Sequence, residues 1–109
     1  MHELGLTQEI LEVVTQRAES RKIKRIVLEI GKLSCVLPDA IRFCFDLCAE
    51  GTVAEGAELE ILQPPGRGKC RACGTEFDME AAFARCACGS SDIDWLSGEE
   101  LRIKTMELV

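Results

Sequence analysis

Two groups of residues in this 109-residue chain could do chemistry, and both would do it on a metal ion. The first is Met1-His2-Glu3, which contains the only histidine of the sequence. An α-amine, a backbone amide and an imidazole follow one another there. Three nitrogens so placed can wrap around one ion and leave room for a fourth nitrogen or oxygen. Square-planar or tetragonal N/O geometry of that kind suits Ni(II) or Cu(II). Taken alone, the tripeptide is better read as an ordinary frayed end, with Glu3 meeting the positive dipole end of a first helical turn.

The second group is Cys70-Arg71-Ala72-Cys73-Gly74, followed after twelve intervening residues by Cys86-Ala87-Cys88-Gly89. Four thiolates can surround Zn²⁺ tetrahedrally at about 2.3 Å each, and two short knuckles on adjacent hairpins would bring the sulfurs together. The glycine after each pair allows the tight turn such a knuckle needs. The second pair is C-x-C, not C-x-x-C, so the backbone must bend at Ala87. The segment between about Pro64 and Ser90 has little core of its own, chiefly Phe77, Met79 and Phe83, with Trp95 as a further contributor. Metal binding would have to supply its folding free energy. Four cysteines leave no open coordination position, which favours a structural zinc over a catalytic one. Iron in a rubredoxin-like site is the lesser alternative, because soft thiolates accept both metals. Cys44 and Cys48 lie four apart on the apolar face of a helix, where small buried hydrophobes are expected, and Cys35 stands apart.

The surrounding elements follow from periodicity. Leu4, Leu6, Ile10, Leu11, Val14 and Ala18 return to one face every three to four residues and predict an amphipathic helix over about 4–20. Arg25 to Ile30 alternates, with Ile26, Leu28 and Ile30 on one side, and predicts a strand ended by Gly31. Pro38 and Asp39 open a second helix that carries Ile41, Cys44, Phe45 and Cys48 and is capped by Gly51. Ala57 to Leu62 and Glu100 to Leu108 alternate as two further strands. Pro64-Pro65-Gly66-Arg67-Gly68 reads as a linker. The expected architecture is α+β, with two helices packed on a three-stranded sheet and a four-cysteine zinc-ribbon lobe inserted before the last strand. The expected lobes are residues 1–64 with 96–109, and residues 65–95.

Composition narrows the function. With 13 Lys and Arg against 19 Asp and Glu the net charge is −6, which argues against nucleic acid, whose binders present clustered positive charge. The cluster Arg21-Lys22-Ile23-Lys24-Arg25 reads as a solvated turn. No stretch approaches the roughly 20 apolar residues of a membrane span, and the N-terminus lacks the pattern of a signal peptide. A cytoplasmic location is therefore expected, and in a reducing compartment clustered cysteines point to metal. Gly51 and Gly56 have the spacing of a phosphate loop, but Ala57-Glu58 stands where Lys-Ser/Thr is required. No catalytic triad can be drawn, so no enzyme is expected.

Several segments together resemble the HypA/HybF family: Met1-His2-Glu3, Glu29-Ile30-Gly31-Lys32-Leu33-Ser34-Cys35-Val36, Phe43-Cys44-Phe45, Gly51-Thr52-Val53-Ala54-Glu55-Gly56-Ala57, the late cysteines, and Gly98-Glu99-Glu100-Leu101-Arg102-Ile103. The resemblance runs through the chain in order. It implies a nickel metallochaperone for maturation of [NiFe]-hydrogenase, and in some bacteria urease. The implied partners are a HypB-type GTPase and the hydrogenase large subunit, and the protein would be a monomer or homodimer. It implies His2 as the nickel ligand, helped by the Met1 amine, the His2 and Glu3 amides and the Glu3 side chain, and Cys70, Cys73, Cys86 and Cys88 as the zinc ligands. Two departures stand out. Many members have C-x-x-C in the second pair, and some have an acidic residue where this chain has Leu37-Pro38-Asp39, so Asp39 is not assigned as a ligand. The competing reading is a zinc-ribbon adaptor in transcription or translation, which would have no use for His2.

Overall fold

The structure is a computed structural model and describes residues 2–81 and 83–109. The chain forms two compact units, one of Met1–Leu28, Val36–Ile61 and Arg102–Val109, the other of Glu29–Cys35 and Leu62–Leu101.

In the first unit helix α1 spans His2–Ala18. It begins two residues before the expected start at Leu4. Thr7, Leu11, Val14 and Ala18 form its buried face, each three or four residues from the last, as a helix packed on one side requires. Thr7 takes an inward place by donating its hydroxyl to the Glu3 carbonyl at 2.7 Å, while Leu4 stays 36% exposed. Helix α2, Pro38–Cys48, packs against α1. Proline at its first turn needs no N–H and holds the preceding Leu37 extended, which fixes where the helix starts. Ile41 and Phe45 face inward. The helix stops at Cys48, with the Ala49 N–H donating to the Phe45 carbonyl. Gly51 therefore does not cap it and instead sits in the following turn at φ +76°.

Three strands carry the helices, in the order β2 (Glu58–Leu62), β1 (Ile23–Ile30), β6 (Leu101–Leu108). Every residue of β1 from Ile26 to Ile30 is buried, so Val27 and Glu29 depart from the expected in-out alternation. A middle strand has neighbours on both sides, and this raises burial over its second half, while Lys24 stays exposed. Arg25 bridges the three strands by pairing with Glu60 on β2 and Glu107 on β6.

The second unit holds an antiparallel sheet ordered β4-β3-β5, of Gly66–Cys70 (β3), Glu76–Met79 (β4) and Ile93–Ser97 (β5). Gly66 pairs with Met79, and Cys70 with Ile93. The expected linker is thus partly overturned, since Gly66, Arg67 and Gly68 begin the central strand. The glycines are there for close approach, not for flexibility. Both are buried, and a Cβ on Gly66 would run into the Met79 carbonyl oxygen. Residues 29–35 and 96–101, placed by sequence with the helices, cluster here instead. Backbone bonds explain it: the Gly31, Lys32 and Leu33 N–H groups donate to the carbonyls of Glu100, Pro64 and Gly98 at 2.8, 3.0 and 2.8 Å. Phe83, expected in the core of this unit, is fully exposed. Phe77 is half-buried and Met79 buried.

Candidate metal centre

Strand β3 ends at Cys70, and the turn after it carries Cys73. Residues before β5 carry Cys86 and Cys88. The four sulfurs lie within 4.8 Å of one another, the one such group of three or more potential ligands among the described residues. Cys70 Sγ is 3.7 Å from Cys88 Sγ, and Cys73 Sγ is 3.5 Å from Cys86 Sγ. A tetrahedron with metal–sulfur distances of about 2.3 Å has sulfur–sulfur edges of about 3.8 Å. The measured pairs are close to that, so the donor set fits a tetrahedral ion of zinc's size.

The two knuckles are built alike although one is a residue shorter. In the first, the Gly74 N–H donates to the Cys70 carbonyl at 2.8 Å and the Cys70 N–H to the Thr75 carbonyl at 2.9 Å. In the second, the Gly89 N–H donates to the Cys86 carbonyl at 2.8 Å and the Cys86 N–H to the Ser90 carbonyl at 2.9 Å. Gly74 and Gly89 both have positive φ, +79° and +96°, a conformation that costs glycine little. The C-x-C pair closes its loop with one residue fewer and still delivers both sulfurs. In each knuckle one cysteine is buried and one exposed: Cys70 with Cys73, Cys86 with Cys88.

Four sulfurs this close without a compensating cation cannot all ionise together. Cys73 is drawn down to about 6, first by the Thr75 hydroxyl, whose oxygen is 3.2 Å from Sγ. Cys70 is lowered chiefly by the backbone N–H of Cys73. At Cys86 the Cys88 N–H favours the thiolate, but burial and the neighbouring sulfurs prevail and push it up to about 12. A bound dication would hold all four as thiolates and supply the positive charge that the protein lacks here.

Arg71 lies inside the first knuckle and reaches across to β5. Its Nε donates to Asp94 Oδ1 at 2.6 Å, and its Nη1 is 3.4 Å from Asp92 Oδ1. The guanidinium holds the Asp94 carboxyl below its ordinary range, and the arginine is raised in turn. Sequence reasoning passed over this clamp, because nothing in the spacing of Arg71 and Asp94 marks them as neighbours.

The N-terminal group stands in the other unit. His2 opens α1 and is exposed. Met1 lies outside the described residues. The Glu3 carboxylate accepts a bond from the Leu37 N–H at 3.3 Å, which ties the first turn of α1 to the residue before α2. The amides of His2 and Glu3 fall among the first four of the helix, which have no intrahelical acceptor, so a ligand can use them without breaking helical bonds. Cys44 and Cys48 are half-buried on α2, and Cys35 is exposed.

Fold and site together define a small α+β metal-binding protein with an inserted four-cysteine ribbon. Residues 1–108 match the family described as "Hydrogenase/urease nickel incorporation, metallochaperone, hypA". The hydrogenase maturation factor HypA of Nostoc punctiforme is 56% identical over 108 residues, covering 99% of this chain and 96% of that protein. The factor of the same name from Geobacter sulfurreducens is 48% identical over 109 residues, covering 99% of each. The chain belongs to the HypA family. The solution structure of the Ni metallochaperone HypA from Helicobacter pylori superposes with a TM-score of 0.70 at 23% identity, over 98% of this chain and 97% of that one. A second HypA solution structure gives 0.75 at 24%, over 100% and 97%. These two likenesses establish the fold.

Proposed function

We propose that this protein binds Ni(II) at its N-terminus and delivers it for maturation of [NiFe]-hydrogenase, and that a zinc ion held by Cys70, Cys73, Cys86 and Cys88 keeps the second unit folded. The observation that carries this reading is the family match over residues 1–108. His2 supports it as the sole histidine, exposed at the start of α1. The His2 imidazole, the Met1 amine and the amides of His2 and Glu3 form the nickel chelate. Glu3 has two roles in this reading, its amide as ligand and its carboxylate as the anchor to Leu37. The job is carriage, not catalysis. A chelate at an exposed helix start can be offered to an acceptor and exchanged ligand by ligand. The acceptors that fit are the hydrogenase large subunit and, in some settings, urease, with a HypB-type GTPase as co-worker.

The test is a calorimetric Ni(II) titration of untagged protein beside His2→Ala, with zinc quantified in both. The expected result is one nickel at micromolar affinity or tighter, lost in the variant, with one zinc kept in each. Equal nickel binding by both proteins, or by neither, sinks the proposal and favours a zinc-ribbon adaptor. Because the chelate needs a neutral imidazole and deprotonated amides, nickel affinity should weaken as pH falls. A nickel affinity that does not change with pH would remove these nitrogens from the site.

A further inference from the structure

The two edges of the β2-β1-β6 sheet are unlike. β2 has five residues, carries Glu58 and Glu60, and runs into Pro64-Pro65. β6 has eight residues and carries Arg102, Lys104 and Glu107, the last paired with Arg25. No strand lies beyond β6 among the described residues, so its outer backbone N–H and C=O groups form a row open to another chain. Beside it, between β6 and α1, runs a groove of about 460 Å³. Val13, Val14 and Met106 line it, and Arg17 and Lys104 supply its only charges, without a carboxylate. Neither cation makes an ion pair among the described residues. Two uncompensated cations beside an apolar floor run against a chain of net charge −6.

We propose that this groove receives an extended acidic segment of a partner protein, added as a fourth strand alongside β6. Main-chain bonds to the open edge would hold the segment, as in other cases of strand addition. Alternate side chains of an added strand point to the same face. The side chains facing α1 would place an apolar group over Val13 and Met106 and carboxylates near Arg17 and Lys104. A second copy of this chain fits less well. Pairing two β6 edges about a two-fold axis brings the two cation pairs toward each other. Pairing β6 with another copy's β2 is head-to-tail and does not close.

The experiment titrates the zinc-loaded full chain, labelled for amide NMR, with a capped heptapeptide alternating glutamate and valine. The control peptide alternates lysine and valine. Shifts should gather on residues 102–108 and 13–17 for the acidic peptide alone. Arg17→Gln with Lys104→Gln should weaken binding roughly tenfold, and Arg17→Glu with Lys104→Glu should turn the preference toward the lysine peptide. Unchanged zinc content and an unchanged spectrum elsewhere keep each variant interpretable. The proposal is overturned if the acidic peptide does not bind, binds the variants equally well, or shifts amides elsewhere. It is also overturned if sedimentation shows a dimer that the charge reversal dissociates, since the occupant would then be a second copy.

Discussion

Helix α2 sends Ile41 and Phe45 into a core that also takes Val14, Ile26 and Leu28, none more than 3% exposed. The unit that carries the cysteines buries Ile30, Met79, Cys70 and Cys86 instead, so half of the buried apolar side chains among its described residues are metal-site thiols. The first unit follows the usual arithmetic of apolar burial against chain entropy. The second lacks the apolar groups for that arithmetic, and its folding must draw on coordination bonds. One short chain thus contains two solutions to the same problem, and each should fail for a different reason.

The largest effect should come from removing one coordination bond. Cys70→Ala is expected to lose zinc and collapse the amide spectrum of residues 62–101, while residues 11–28 keep their native shifts. Structural zinc supplies about 10–16 kcal/mol of apparent binding free energy in small domains, more than this unit's own core can replace. A variant that keeps native shifts in both units after metal loss would show that the second unit does not need the ion. The converse change is Phe45→Ala. It should cost the first unit about 3–5 kcal/mol and leave one zinc per chain, as read by denaturant titration and elemental analysis.

Gly66→Ala sharpens the contrast, because it strikes the second unit away from its ligands. The added methyl meets the Met79 carbonyl, and overpacking of this kind costs about 1–3 kcal/mol. Thermal melting should show it in the second unit alone, with zinc affinity reduced only through the cost of folding. The smallest effect belongs to Asp94. Its folded carboxyl titrates below its ordinary value because of Arg71, so its contribution is present above the unfolded pKa and fades as pH falls through the lower folded one. Asp94→Asn should flatten that acidic limb and change neutral-pH stability little. A loss of zinc at neutral pH in this variant would instead make the Arg71–Asp94 pair a true support of the first knuckle.

The order helix, strand, helix, strand, insert, strand was legible because the apolar residues of each element recur with its period, although β1 is buried continuously from Ile26 to Ile30. The cysteine pairs were legible because coordination fixes both residue type and spacing. The strand at Gly66–Cys70 was not, because Gly66 and Gly68 sit there to admit a neighbouring backbone and side chain. That requirement depends on what packs across from them, which local composition does not report. Phe83 misled for the complementary reason: hydrophobicity suggested a core residue, but the unit around it has almost no core to enter. The Arg71–Asp94 clamp joins residues that only the folded hairpins bring together. The anchoring of Glu3 to Leu37 was invisible for the same reason, although the acidic first turn was itself read correctly.

The pairing of one buried with one exposed sulfur in each knuckle has a kinetic consequence. A chelator or an electrophile arriving from solvent meets Cys73 and Cys88 before it can reach Cys70 and Cys86. Metal exchange at this site should therefore proceed by stepwise substitution through the outer pair, with the inner pair the last to let go. Timed alkylation during chelation would record that order as early labelling of Cys73 and Cys88.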